Sequence, residues 1–128
     1  MPDSRGSTDT VILLSRADWC AWIAHVPAPA HEIGAKRRAV RRALTHGPVE
    51  LRYTAEGHPS RQLGWIMEVS DAGLMVRCPQ PVPAQTPVEV TWEDANARFG
   101  VRGVIIHCTE TVGGFKLGVQ LQLPETAG

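Results

Sequence analysis

Seven consecutive residues, Lys36-Arg37-Arg38-Ala39-Val40-Arg41-Arg42, place four guanidiniums within six positions. A guanidinium is planar and carries a fixed fork of donors, so such a run clamps phosphates through charge-assisted hydrogen bonds and stacks on flat bases. It also reaches the O6/N7 edge of a guanine bidentately. Two pairs, Arg37/Arg41 and Arg38/Arg42, share the spacing Arg-x-x-x-Arg. Charge alone is equally satisfied by a solvated basic turn, because surface cations cost little. A second constellation is Glu68-Val69-Ser70-Asp71-Ala72-Gly73. Alternation along a strand puts Glu68 and Ser70 on one face and Val69 on the other. The carboxylate accepts from two donors at once, the hydroxyl both donates and accepts, and Gly73 allows close backbone approach. The plain alternative is an ordinary Ser-Asp-Ala-Gly hairpin turn.

Other reactive side chains form no pattern. His25, His31, His46, His58 and His107 have no common spacing, so no metal site is expected. Ser70 has no His base near it in sequence, and activation of a hydroxyl needs one. Gly113-Gly114 reads as a hairpin turn and not as a phosphate loop. Cys20, Cys78 and Cys108 are odd in number and widely spaced, which fits packing residues in a reducing cytoplasm better than a disulfide framework. His107 falls on the off-phase face of its strand, as a surface or barrel-mouth residue.

The elements that position these groups follow from periodicity. Residues 1–9 are small and polar. Val11–Leu14 is a short strand or an apolar anchor. Ser15 reads as a helix N-cap with Asp18 at the third helical position. Trp19, Trp22, Ile23 and Val26 follow at helical spacing, giving a short amphipathic helix over 16–26 that Pro27 and Pro29 end. From Pro48 the period becomes two. Val49/Leu51/Tyr53, Leu63/Trp65/Met67/Val69, Leu74/Val76/Cys78, Val88/Val90/Trp92, Phe99/Val101 continuing as Val104/Ile106/Cys108, and Phe115 through Leu123 make six strands. A bulge at Arg102-Gly103 is expected to shift the fifth. Turn-formers separate the strands: Glu56-Gly57, Asp71–Gly73, Pro79–Pro87, Asp94–Asn96 and Gly113-Gly114. No helix is long enough to cover a sheet of this size. Six one-faced strands are therefore expected to close on themselves as a small antiparallel barrel, which also removes exposed edges.

Composition narrows the function classes. The chain has 128 residues, 43% apolar and 20% charged, ordinary for one globular domain. The longest aliphatic run, Val11–Leu14, is far short of the roughly 20 residues of a spanning helix. No basic-then-apolar leader opens the chain, so a cytoplasmic protein without membrane insertion is expected. Thirteen acids balance thirteen bases, yet residues 36–52 carry six cations against one acid. The positive field is thus local.

The Arg-x-x-x-Arg pair just before the first barrel strand and the acid-x-Ser-x-x-Gly turn at the end of the second together resemble the PilZ domain family. Phe115-Lys116-Leu117-Gly118-Val119-Gln120-Leu121 is similar to that family's closing strand. The resemblance covers about 36–123. It implies a six-stranded antiparallel barrel and binding of the bacterial second messenger cyclic di-GMP. With the helix and linker read from the sequence, the expected division is residues 1–35, an extension with a short helix and a Pro-rich linker, and 36–128, the barrel. Arg38 and Arg42 match the family's arginine pair, with Arg37 and Arg41 as the other register. Ser70 and Gly73 match its Asp/Asn-x-Ser-x-x-Gly motif. Glu68 stands where the family has Asp or Asn, one methylene longer with the same acceptor chemistry.

The function this implies is a non-enzymatic receptor with no metal or cofactor, whose ligand is cyclic di-GMP. The arginines would supply counter-charge and stacking while Glu68 and Ser70 read a guanine edge. Ordering of Ala30–Arg42 on binding would reposition the 16–26 helix and signal to a protein partner or within a homodimer. A second reading is a barrel that has lost its ligand and serves as a protein-interaction module in motility or surface assembly. Single-strand nucleic-acid binding fits less well, for no barrel face carries the aromatic platform such binders use.

Overall fold

A computed structural model describes residues 10–24, 42–43, 48–94 and 97–125. It comprises β1 (Val11–Leu13), α1 (Arg16–Ile23), β2 (Arg42–Ala43), β3 (Val49–Ala55), β4 (His58–Val69), β5 (Gly73–Cys78), β6 (Pro87–Asp94), β7 (Ala97–Thr111) and β8 (Gly114–Leu121). The six longer strands pair in the order β3-β4-β5-β8-β7-β6 and back to β3, every pair antiparallel. The result is a closed barrel. β1 extends the sheet beside the first residues of β7, parallel to it, and β2 forms a two-residue ladder with β4.

The core is the inward phase of each strand. Val49 and Leu51, Leu74, Val76 and Cys78, Val88, Val90 and Trp92, and Leu117, Val119 and Leu121 are all buried, as their alternation predicts. The β3–β4 turn at Glu56-Gly57 has positive φ at both residues, 53° and 80°, the geometry that matches strand twist in a two-residue hairpin. Burial pushes the Cys78 thiol up to about 11.

Two strands depart from the expected pattern. On β4, Leu63, Trp65 and Met67 point outward, 53%, 50% and 40% exposed, while Gly64 and Ile66 face the core. The reason lies at Gly64. A Cβ there would sit 2.7 Å from Val76 Cγ1 and 3.3 Å from Leu51 Cδ1, so the interior at that level is already filled and only a glycine fits. Hydropathy alternation counts a glycine as a gap and therefore selects the wrong phase. A bulge at Met67, between the pairs Ile66–Val76 and Glu68–Met75, then returns Val69 to the core. On β7 the bulge falls at Ile106 and not at Arg102-Gly103. Val101, Gly103 and Ile105 keep the inward phase, and Ile106 is left 48% exposed.

The helix forms where its cap predicts. Asp18 N donates to Ser15 Oγ at 3.2 Å and Ser15 N donates back to Asp18 Oδ2 at 3.3 Å, a reciprocal capping box. The helix ends at Ile23, so its expected last residues, His25 and Val26, lie outside the described residues, as does the Pro27–Ala35 linker. It is docked on the barrel. Trp19 and Ile23 are buried, Leu14 N donates to Gly100 O, and Arg16 N donates to Pro124 O at 2.8 Å. Trp19 stacks on Trp22 at 5.3 Å between ring centroids, and both pack against Trp92. Among the described residues, no helix is long and apolar enough to cross a membrane.

Candidate functional site

The turn that closes β4 onto β5 is held by its own serine. Ser70 N donates to Gly73 O at 2.9 Å, Gly73 N donates to Ser70 Oγ at 3.2 Å, and the Ser70 hydroxyl lies 3.3 Å from Gly73 O. This is the local side-chain bonding that favours serine in turns. Gly73 is required by close approach, because a Cβ there would lie 2.6 Å from Val119 O on β8. Leu121 N reaches across to Ala72 O at 2.8 Å and pins the turn from the other side. A third support comes from the helix: Trp19 Nε1 donates to Ser70 O at 2.8 Å. That link between the N-terminal helix and the turn has no signature in sequence spacing, since the partners are 51 residues apart.

The bulge at Met67 sets the orientation of the strand end. Val69 turns into the core, and Glu68 and Ser70 line a surface pocket of about 340 Å³ together with Gly73, Met75 and His107. The floor is a cross-strand row. Glu68 on β4 pairs with Met75 on β5, Met75 with Gly118 on β8, and Gly118 with His107 on β7. Carboxylate, hydroxyl, thioether and imidazole are thereby gathered on one outer face of four adjacent strands, around a notch where Gly118 has no side chain. Sequence spacing does not reveal His107 as part of this pocket; only the register of β7 against β8 brings it there.

The last residue of the arginine run, Arg42, reaches the same place along the backbone. Arg42 pairs with Val69 and Ala43 with Glu68, so β2 lies directly beside the end of β4. Arg37, Arg38 and Arg41 lie outside the described residues, and for Arg42 only the backbone is described. A second surface pocket, of about 480 Å³, includes Arg52 and Arg61. There Glu50 pairs with both cations, at 2.9 and 3.5 Å, and Glu89 also lines the pocket. Among the described residues no group of three His, Cys, Asp or Glu side chains is placed to hold a metal ion.

A family model for the PilZ domain matches residues 35–127. The chain belongs to the PilZ family. Among solved structures it is similar to the PilZ domain with c-di-GMP of YcgR from Escherichia coli, at 14% identity and a TM-score of 0.48, over 67% of this chain and 77% of that one. A comparison with curated proteins finds no match. Within the PilZ match fall the arginine run, whose last residue Arg42 pairs with Val69, and the Glu68–Gly73 turn.

Proposed function

We propose that this PilZ domain is a cyclic di-GMP receptor that acts by binding and not by catalysis. One observation supports the reading: the Arg42–Ala43 ladder sets the last arginine of the run beside Val69 and Glu68, two residues that line the pocket with Ser70 and Gly73. Cyclic di-GMP has two phosphates and two flat guanines. In this reading Arg38 and Arg42 clamp it, Arg37 and Arg41 assist, and Glu68 accepts from a guanine N1–H and N2–H while Ser70 and Gly73 hold the edge of the site. Residues 1–35 would act as an extension through which the barrel at 36–128 reports ligand to a protein partner or a second copy, inside the bacterial cytoplasm. Ordering of the arginine segment on binding would supply the conformational signal.

A ligand binding only the native state raises its stability by RT ln(1 + [L]/Kd), about 2.7 kcal/mol at a hundredfold excess over Kd. The wild-type melting temperature is therefore expected to climb steadily with cyclic di-GMP and not with GTP. The climb should vanish in Arg38→Ala and Arg42→Ala. No rise for wild type at millimolar cyclic di-GMP would overturn the reading. The outward Leu63, Trp65 and Met67 favour a second one, a protein-docking barrel without nucleotide. In that case Glu68→Asp would restore the thermal response that wild type lacks.

A further inference from the structure

His107 is the polar side chain of the cross-strand row that the arginine-and-turn motif leaves unused. Its ring does not extend freely into solvent. A Cβ built at Gly118 would collide with the ring's outer edge, meeting Cδ2 at 2.6 Å and Cε1 at 2.8 Å and Nε2 closer still. The imidazole tip therefore lies across β8, in the space a side chain at 118 would fill. From β7 it reaches along the row toward Met75 and Glu68. Strands lie about 4.8 Å apart, so the tip over β8 and the Glu68 backbone on β4 stand about 10 Å apart, with Met75 as the floor between them. A flat purine lying over Met75 would have one edge toward each of the two groups. Guanine presents donors, N1–H and N2–H, on one side and the acceptor N7 on the imidazole side of the ring system.

We infer that His107 is a specificity-determining ligand contact that donates to N7 of the guanine whose N1–H and N2–H edge faces Glu68, an inference that rests on the receptor reading above. A carboxylate and an imidazole N–H on opposite sides of the floor match guanine at both edges. Adenine fails at the carboxylate, where it would present the acceptor N1. Gly118 serves the same end, because any side chain there would displace the ring.

The test is calorimetric titration of wild type, His107→Ala and His107→Gln with cyclic di-GMP and with its 7-deazaguanine analogue, in which C–H replaces N7. His107 is exposed, so the variants are expected to fold, and circular dichroism checks that they do. Wild type is expected to bind the 7-deaza analogue about tenfold more weakly than cyclic di-GMP, the size of one neutral hydrogen bond. His107→Ala should bind cyclic di-GMP about tenfold more weakly and no longer distinguish the two ligands. His107→Gln, which keeps an N–H donor, should recover part of the preference. If His107→Ala binds cyclic di-GMP as wild type does, or still discriminates against the 7-deaza analogue tenfold, the assignment of His107 is overturned while the receptor reading stands. If wild type binds neither ligand, the receptor reading is overturned and the His107 contact falls with it.

Discussion

Replacing Trp19 with Phe tests whether the N-terminal helix is a structural support of the β4–β5 turn. Trp19 is fully buried and its Nε1–H donates at 2.8 Å to the carbonyl of Ser70, the first residue of the β4–β5 turn. The phenyl ring cannot donate, so it strands a half-buried carbonyl at a cost of about 1–3 kcal/mol. It is also smaller, leaving a void between Trp22 and Trp92 that costs about a further 1 kcal/mol. The sum is about 3 kcal/mol. At about 2.1 cal/mol/K per residue the unfolding entropy of a 128-residue chain makes this a fall in melting temperature of about 10 °C. Scanning calorimetry reads it directly. Trp22→Phe is the control, because Trp22 is only half-buried, and it should cost about 1 kcal/mol or less. Cyclic di-GMP affinity should also weaken severalfold in Trp19→Phe, since the turn loses one of its three supports. Equal melting temperatures for the two variants would refute the reasoning, and unchanged affinity would remove the helix from the support of the turn.

Further outcomes follow from the same geometry. Gly73→Ala drives a methyl against Val119 O at 2.6 Å and should cost about 1–3 kcal/mol in urea unfolding while sharply weakening ligand binding. The Cys78 thiol is raised from 9.0 to about 11, so the native state holds its proton where the unfolded state has lost it. Its contribution to stability is therefore complete below pH 9 and declines between about pH 9 and 11. Denaturation midpoints across that range should fall less in Cys78→Ala than in wild type, and native Cys78 should resist alkylation at pH 8. Saturating cyclic di-GMP should slow hydrogen exchange at the amides of Ala43, Ser70 and Gly73 and across 30–42. Unchanged exchange in all of these would exclude ordering of the arginine segment as the signal.

Much of the barrel was legible because its strands alternate and its turns carry their own chemistry. All six expected barrel strands are present, and the Ser15/Asp18 capping box starts the helix where local bonding places it. What alternation misreads is a glycine at a crowded interior position. Gly64 sends the apolar side chains of Leu63, Trp65 and Met67 to the outside, although their pattern reads as core. The same limit misplaces the β7 bulge, because Gly103 serves as an inward residue there. Within the candidate site, Glu68, Ser70 and Gly73 were legible as a contiguous motif and line one pocket. His107 and Trp19 were not, since each meets the site through partners distant in sequence: Gly118 across a strand pair, and the Ser70 carbonyl beneath a docked helix. The arginine run was legible as charge, and its join to β4 required the pairing of Arg42 with Val69.

The proposed union of the arginine run and the β4–β5 turn in one cyclic di-GMP site is open to direct measurement. Isothermal titration of the intact chain with cyclic di-GMP, beside Arg38→Ala and Arg42→Ala and with GTP as control, tests it most directly. Saturable heat at micromolar or lower ligand, lost in both arginine variants and not seen with GTP, is the expected result. It would also give the number of dinucleotides held. No heat from wild type, or undiminished heat from both arginine variants, would contradict it.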